Sequence, residues 1–171
     1  MINIRKMNEE DIPVVVSFLD GTTEDFLHQW GGGRWYDYPV TAAQMTKLFH
    51  TKNENTLYFL ILDDEEIIGS FEIDYIDWEK RYCSVCRYLI KDGCRSRGYG
   101  TQALKIIVKY LFNEFNMVKV TLSVYDFNVG AYKCYLKVGF KEYNRSVRDN
   151  GWVAIEMEIH NPENEMFLKE C

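Results

Sequence analysis

Several features of membrane, exported and multidomain proteins are missing from this sequence of 171 residues. No apolar run approaches the ~18 residues that a membrane-spanning helix needs, so no membrane partner is expected. No Pro/Ser-rich linker or repeat divides the chain, and its length predicts a single domain over residues 1–171. The first residues lack the basic-then-apolar order of an export signal, and the five cysteines are odd in number. We therefore expect free thiols and a cytoplasmic location.

A complete set of metal ligands is also missing. Cys83 and Cys86 have the spacing of a redox or zinc pair, but their odd separation in a predicted strand directs the two side chains to opposite faces. No second Cys or His pair completes four ligands, and the three histidines are far apart. We therefore expect no metal.

Basic residues are in the minority, because 20 Lys and Arg stand against 26 Asp and Glu, which gives a net charge of −6. Nucleic-acid-binding proteins usually carry a basic surface, so no nucleic-acid partner is expected. An acidic surface could steer a cationic ligand to the protein, although most acidic proteins are merely soluble. The hydrophobic fraction of 47% is ordinary for a globular protein.

The hydrophobic pattern predicts an α/β fold. Strands are predicted over 2–5, 56–62, 67–76, 81–90, 118–124, 140–148 and 152–159. Helices are predicted from Asn8 to about Gly21, from Thr41 to about Phe49, over 101–115 and over 129–138. Residues 24–40 are harder to assign, although they suggest a further short helix near Trp30. The order β-α-α-β-β-β-α-β-α-β-β predicts a mixed, mostly antiparallel central sheet with helices on both faces.

The segment from Arg95 to Gly100 joins a predicted strand to a predicted helix that starts near Thr101. Two glycines allow a tight turn and a close approach of the backbone to a ligand. The helix start offers unpaired N–H groups, and the arginines and a Thr hydroxyl add donors, so the loop suits a pyrophosphate. The alternative is a Gly-rich connector that only caps the helix. The loop has neither the Gly-Lys-Ser/Thr of a P-loop nor the GxGxxG of a dinucleotide site.

A second motif runs from Asn128 to Phe140. Asn128 and Tyr135 are seven residues apart, which predicts that they share one helix face, with the small Ala131 between them. Tyr135 could donate a proton, or it could simply pack with its neighbours Leu136 and Val138.

The two motifs together resemble those of the GNAT superfamily of acyl-CoA N-acyltransferases. They read Arg-x-x-Gly-x-Gly and, about 30 residues later, Asn-x-x-Ala-x-x-x-Tyr-x-Lys-x-Gly-Phe. The predicted order of strands and helices resembles that of the GNAT-like fold along nearly the whole chain. The closing strand pair around 149–151 resembles the branch that holds ribosomal-protein alanine and spermidine N-acetyltransferases.

The resemblance implies a site for acetyl-CoA. It implies that the backbone of Tyr88, Leu89 and Ile90 pairs with the pantetheine arm, as an added strand does. The pyrophosphate would be held by Arg95, Ser96, Arg97, Gly98, Tyr99, Gly100 and Thr101. Asn128 would hydrogen-bond the cofactor arm, and Lys133 or Lys137 would meet the nucleotide phosphate.

The resemblance also implies direct transfer of the acetyl group to an amine, with no acyl-enzyme intermediate. Tyr135 would be the general acid beside the sulfur, and backbone donors near Leu89 could stabilise the oxyanion. Glu72 is the first candidate for the base, because it lies mid-strand on a polar face and matches a strand glutamate in spermidine-acetylating relatives. The alternative is a solvated strand carboxylate, and Asp74 is the second candidate. Cys134 faces about 100° away from Tyr135, so no nucleophilic role is expected.

An aromatic and acidic segment precedes the first predicted hairpin. Aromatic faces with carboxylates suit a cationic amine, although these rings could equally cover the core. The segment contains Glu24, Asp25, Phe26, Trp30, Trp35, Tyr36, Asp37 and Tyr38. The acceptor stays open among a polyamine, an aminoglycoside, a protein N-terminus and another small amine. A homodimer through an exposed edge strand, a non-catalytic acyl-CoA-binding sensor and a nucleotide-binding protein of another fold are alternatives that the sequence leaves open.

Overall fold

The computed structural model describes residues 1–31, 33–51 and 55–163. The strands are β1 (Ile2–Lys6), β2 (Leu57–Asp63), β3 (Glu66–Asp77), β4 (Tyr82–Ile90), β5 (Lys119–Tyr125), β6 (Lys141–Val147) and β7 (Val153–His160). The α-helices are α1 (Ile12–Ser17), α2 (Glu24–Gln29), α3 (Ala42–Thr51), α4 (Tyr99–Asn113) and α5 (Val129–Val138), and a 3-10 turn covers Glu9–Asp11. Hydrogen bonds link the strands in the order β1-β2-β3-β4-β5-β7-β6. The predicted mixed α/β fold with a mostly antiparallel sheet is confirmed.

The described residues fall into two compact units, and β3 and β4 contribute residues to both. The first unit comprises Met1–Asp74 and Cys86–Tyr99. In it, β2 pairs antiparallel with both β1 and β3, and an irregularity in the second pairing lies between Ile61 and Leu62. The three helices α1 to α3 bury apolar side chains in one cluster with β2 and β4. That cluster includes Ile12, Val15, Leu19, Leu27, Trp30, Met45, Leu60, Leu62 and Leu89.

The second unit comprises Tyr75–Val85 and the described residues from Gly100 onward. The first residues of β4 pair in parallel with β5, and β7 lies antiparallel between β5 and β6. Helix α4 leaves only a narrow polar stripe exposed, as predicted. Its buried residues recur with the helical period, and they are Ala103, Leu104, Ile107, Val108 and Leu111.

Two local predictions are confirmed by backbone geometry. Helix α5 ends at Val138, and Gly139 takes a left-handed conformation (φ 113°) in which its N–H reaches the last carbonyls of the helix. The turn between β6 and β7 has Gly151 at φ 83°, with its N–H bonded to the Arg148 carbonyl at 2.8 Å. Cys83 is buried and Cys86 is half-buried. Cys171 lies outside the described residues.

The predicted order has two helices between β1 and β2, whereas the structure has three α-helices there; the additional one, α2, is the short helix suggested near Trp30. The first helix ends at Ser17, not near Gly21, because turns follow it and Gly21 is left-handed (φ 72°). The side chain of Thr23 then accepts a hydrogen bond from the Phe26 N–H at 3.1 Å and starts α2.

The 3-10 turn before α1 is fixed to β1 by one carboxylate. Asp11 accepts hydrogen bonds from Nη1 and Nη2 of Arg5, both at 2.8 Å, and from the Asn8 N–H at 2.8 Å. The hydrogen bonds from Arg5 are the main reason why the pKa of Asp11 lies below its usual value. Asp11 therefore both caps the turn and carries a charge that the folded state favours.

Replacing this carboxylate, Asp11→Asn, should lower the free energy of unfolding at pH 7 by about 1–2 kcal/mol, since a cap and a partly exposed ion pair are both weakened. A group whose pKa is depressed on folding stabilises the protein above its unfolded pKa, and that stabilisation is lost as the pH falls through the folded pKa. The difference between Asp11→Asn and the parent should therefore shrink below about pH 4. Urea unfolding at pH 7 and pH 3 measures it.

Glu10 is the matched control, because it is an exposed acid in the same turn. The Glu10→Gln substitution should change stability by less than about 0.5 kcal/mol at both pH values. Equal losses for the two variants would show that Asp11 acts only through the net charge.

Candidate active site

The loop between β4 and α4 is exposed and contains three residues in the left-handed region. Gly93, Ser96 and Gly98 have φ values of 78°, 62° and 82°. A serine in this region is uncommon, and Gly98 directly precedes the first residue of α4, Tyr99. The helix thus begins two residues before its predicted start near Thr101. This backbone turns sharply into a helix start, which is the conformation that the predicted pyrophosphate cradle requires.

The side chains of this loop divide into anchored and exposed groups. Arg95 donates from Nε to the Ile90 carbonyl at 2.9 Å, and its guanidinium lies 5.4 Å from the centre of the Phe26 ring. The Tyr99 side chain hydrogen-bonds Asp63, and this bond is the main cause of its raised pKa. Ser96 and Arg97 are exposed. Arg95 and Tyr99 therefore hold the loop in place, while Ser96 and Arg97 offer donors to solvent.

The end of β4 approaches β3 closely at a glycine. A Cβ placed on Gly69 would lie 2.3 Å from the Leu89 carbonyl oxygen, which is far inside van der Waals contact. Leu89 and Ile90 are buried, and Tyr88 is half-buried. Gly69 therefore allows the backbone of residues 88–90, the predicted pantetheine strand, to occupy its position beside β3.

In the second unit, Asn128 precedes α5 instead of lying on it. Its ψ of 63° is not helical, and Oδ1 accepts a hydrogen bond from the Ala131 N–H at 3.3 Å. The prediction that Asn128 and Tyr135 share a helix face is therefore wrong, because Asn128 is the N-cap. The cap uses Oδ1, so the Nδ2 donor is not part of it. Lys133 is exposed on the helix.

Tyr135 is 7% exposed, and its ring packs against Phe140 with 6.3 Å between the centroids. The sequence analysis offered Leu136 and Val138 as packing partners of Tyr135 instead, but Leu136 is 45% exposed. On the same helix, the Cys134 Sγ accepts a hydrogen bond from the Thr101 hydroxyl at 3.3 Å, and burial raises the pKa of that thiol. A raised pKa disfavours the thiolate of Cys134.

A buried charge cluster lies in the first unit. Glu72 and Asp74 on β3 and Arg87 on β4 are 6%, 8% and 8% exposed. Arg87 Nη2 donates to Glu72 Oε2 at 2.6 Å and to Asp74 Oδ2 at 3.0 Å. Arg87 Nε lies 2.6 Å from Glu72 Oε1, in an ion pair whose N–H is not aligned for a hydrogen bond. Glu72 is therefore not a solvated strand carboxylate, and that alternative is wrong.

Polar and aromatic groups enclose the cluster. The Thr56 hydroxyl donates to Asp74 Oδ1 at 2.9 Å, the Trp30 Nε1–H donates to the Arg87 carbonyl at 2.9 Å, and the Trp35 ring centre lies 5.9 Å from the guanidinium. Burial opposes the charge of Arg87, but Glu72 outweighs it, so the net result is a raised pKa. Arg87 is a permanent cation at every physiological pH.

A cavity adjoins the cluster. Burial, and then the charge of Glu72, raises the pKa of Tyr36, whose hydroxyl is buried and has no hydrogen-bond partner among the described residues. The cavity is otherwise mostly apolar. Its lining includes Trp30, Tyr36, Met45, Tyr58, Glu72 and Arg87. Its volume of about 10 Å³ leaves room for no more than one water molecule.

The predicted aromatic segment is divided by the fold. Trp30 and Tyr36 belong to the core and also line the cavity, whereas Trp35 and Tyr38 are 37% and 48% exposed. The core-covering alternative is therefore confirmed for Trp30 and Tyr36. Sequence reasoning missed Arg87 altogether. Its signal was a basic residue at a position that alternates with the buried Cys83, Val85 and Leu89.

Among the described residues, no group of three or more His, Cys, Asp or Glu is arranged to hold a metal ion. Over the same part of the chain, no helix has the length and apolar character needed to cross a membrane.

The chain belongs to the GNAT acetyltransferase family, because the model of the acetyltransferase (GNAT) domain matches residues 2–141. The probable N-acetyltransferase YjcK of Bacillus subtilis (strain 168) is 23% identical over 158 residues, which cover 86% of this chain and 87% of that protein.

Two solved structures show the same fold. Spermidine N-acetyltransferase from Vibrio cholerae, in complex with CoA and spermine, superposes with a TM-score of 0.79 at 17% identity, over 93% of this chain and 95% of that one. Aminoglycoside acetyltransferase AAC(6')-Ib, in complex with coenzyme A, has a TM-score of 0.77 at 19% identity, over 97% and 98% of the two chains.

The Gly69→Ala substitution should lower the free energy of unfolding by about 2 kcal/mol or more, because the new methyl group meets a backbone oxygen that cannot turn away. Gly130 is the control, since a Cβ there has nothing within 4 Å. In helix α5, Gly130→Ala should be neutral or stabilise by up to about 1 kcal/mol. Chemical denaturation of both variants measures the contrast, and equal effects would show that the approach of β3 to Leu89 is not tight.

Proposed function

We propose that this protein is an N-acetyltransferase that moves the acetyl group of acetyl-CoA to a primary amine by direct attack in a ternary complex. The observation that carries the proposal is the exposed left-handed loop at Ser96 and Gly98, which opens α4 in a chain of the GNAT family. Two structural neighbours of the same fold contain CoA. The proposed acyl donor, acetyl-CoA, carries a diphosphate. A glycine-containing loop that leads into a helix N-terminus is a common phosphate-binding arrangement.

The donor set of the loop fits a diphosphate. The exposed loop offers the Ser96 hydroxyl, the Arg97 guanidinium and backbone N–H groups as donors. It leads into a helix of 15 residues, whose N-terminus carries a partial positive charge. Arg95 positions this loop through its bond to the Ile90 carbonyl. When bound, acetyl-CoA would supply the acetyl group as a thioester. The backbone of residues 88–90, the Asn128 amide and Lys133 are the further groups that we assign to its binding.

Two side chains are assigned to proton transfer. An alkyl amine is mostly protonated near neutral pH, so it must lose a proton before it attacks. We assign that proton to Glu72, whose carboxylate is oriented by two nitrogens of Arg87. We assign to the Tyr135 hydroxyl the proton that goes to the leaving sulfur. Its ring is held by packing on Phe140, which limits its rotation.

The proposed acceptor is a small-molecule amine, such as a polyamine or an aminoglycoside, or a protein N-terminus. The support is the group of carboxylates and aromatic rings around Glu72, together with the names of the two neighbouring enzymes. Aromatic faces and carboxylates are the usual surroundings of an amine in a protein site.

One observation favours a second function, a non-catalytic acyl-CoA sensor. Both oxygens of Glu72 lie 2.6 Å from nitrogens of Arg87, so the guanidinium, and not an acceptor amine, occupies them while the ion pair persists. A sensor would bind acetyl-CoA without acetylating any amine.

The deciding experiment incubates the purified protein with acetyl-CoA and a panel of polyamines, aminoglycosides, amino acids and short peptides. Mass spectrometry is preferable to a thiol dye, because five cysteines could react with the dye. A product above the level without enzyme supports the enzyme and identifies the acceptor class. Acetyl-CoA binding by calorimetry without any product supports the sensor, and absence of both would contradict either function.

The Tyr135→Phe variant should lose activity by about 10²- to 10⁴-fold while its affinity for acetyl-CoA is unchanged. The phenyl ring keeps the packing on Phe140, so only the hydroxyl is removed. Turnover and calorimetry on the same preparation measure the two quantities.

Tyr132, three residues before Tyr135 on the same helix, provides the control for this variant, because its hydroxyl donates a hydrogen bond to Glu142 Oε2 at 3.3 Å. Tyr132→Phe should retain activity. A Tyr135→Phe variant with full turnover would remove the proton-donor role, whatever the acceptor.

A further inference from the structure

One buried hydroxyl of the first unit has no hydrogen-bond partner among the described residues. Tyr36 is 5% exposed, and its hydroxyl is completely covered. Burial, and then the charge of Glu72, raises the pKa of Tyr36, so the hydroxyl keeps its proton and remains a donor at physiological pH. A buried donor without an acceptor is costly, and in native proteins such a group commonly bonds to ordered water.

A second buried donor belongs to Arg87. Its Nε lies 2.6 Å from Glu72 Oε1, but the N–H is not aligned for a hydrogen bond with that oxygen. The hydrogen bonds of the guanidinium to Glu72 and Asp74 come from Nη2 instead. The ion pair therefore supplies attraction without giving the Nε–H an acceptor of its own.

The side chains of Tyr36 and Arg87 line the same small cavity. Its volume of about 10 Å³ corresponds to the smallest space that can hold one water molecule. Most of the lining is apolar, and a wholly apolar cavity would stay dry. Polar and charged side chains also contribute to this lining, however, and a water there would find the few polar partners that it needs. These side chains are Tyr36, Tyr58, Ser70, Glu72 and Arg87.

The charges of the lining select a neutral occupant. A cation would meet the guanidinium of Arg87, which is permanently charged, and an anion would meet the carboxylate of Glu72. The two donors require an acceptor, whereas the carboxylate has lone pairs that can take a further donor. Water is both donor and acceptor, and it is small enough for the cavity.

We propose that this cavity is a binding site for one structural water, which accepts hydrogen bonds from the Tyr36 hydroxyl and the Arg87 Nε–H and donates one to Glu72. Tyr36 lies between α2 and α3, so the water connects that segment to the charged residues of β3 and β4. It also orients the Glu72 carboxylate from a direction that Arg87 does not cover. The water site itself does not depend on the proposed acetyltransferase function.

The direct test is a crystal structure of the protein at about 1.5 Å resolution. One ordered water should lie about 2.7–3.2 Å from Tyr36 Oη and at a similar distance from Arg87 Nε or a Glu72 oxygen. A cavity without density would overturn the site. A Tyr36 hydroxyl that bonds directly to a protein atom would also overturn it.

Removal of the hydroxyl tests the same bond in solution by the sign of the effect. If Tyr36 binds a water, Tyr36→Phe deprives that water of a partner, and the Tm should fall by about 2–4 °C. If the hydroxyl is buried without a bond, its removal relieves a desolvation cost, so the Tm should stay the same or rise. Phenylalanine keeps the ring, which stacks on Trp30 with 6.1 Å between the centroids. An unchanged or higher Tm would therefore contradict the role of Tyr36.

Tyr143→Phe is the matched control, because Tyr143 is 53% exposed and loses the same atom. Its Tm should stay within about 1 °C of the parent. Equal losses in the two variants would show that the effect is not specific to the cavity and would count against the water. Neither measurement involves acetyl-CoA, so a failure of the water site and a failure of the proposed function are distinguishable.

Discussion

The ion cluster of Arg87 with Glu72 and Asp74 is the constraint on which the first unit depends most. Burying these charges is costly, and only a complete set of short contacts compensates for the lost hydration. That set requires β3 and β4 to be in one register and the Arg87 backbone to be left-handed. It also includes the hydrogen bond from the Trp30 indole N–H to the Arg87 carbonyl. Gly69, three residues before Glu72 on β3, permits the close approach of the same two strands. The cluster therefore links the sheet to the helices of the first unit.

Much of the fold could be predicted from the sequence because its signals are local. A helix that ends at Gly139 and a hairpin that turns at Gly151 are specified by backbone preferences of one or two residues. The period of apolar residues in α4 likewise needs no knowledge of what packs against it. The boundary near Gly21 was missed although its signals were equally local, since an apolar pattern that continues through Leu19 conceals the end of α1.

The candidate site was only partly predictable, because burial of a charge depends on partners that are distant in sequence. Glu72 and Asp74 read as a polar strand face, and nothing near them in the chain indicates that Arg87, 15 and 13 residues later, covers them. Arg87 itself stands at an inward position of β4 between Val85 and Leu89. Alternation alone would place it inside, whereas the rule that arginines are exposed places it outside. Only the acidic pair on the neighbouring strand decides between the two.

The buried cation of Arg87 also bears on how the proposed base could act. Two buried carboxylates without a cation would stabilise an ammonium strongly, and the acceptor would then hold the proton that it must lose. Arg87 reduces the charge of the cluster from −2 to −1, so the neutral amine, which is the attacking form, is less disfavoured. A weaker negative site binds a cationic acceptor less tightly, but binding that stabilises the protonated amine does not accelerate the reaction. Under the proposed function, Arg87 thus lowers the affinity for the protonated acceptor and raises the fraction of bound amine that is neutral and reactive.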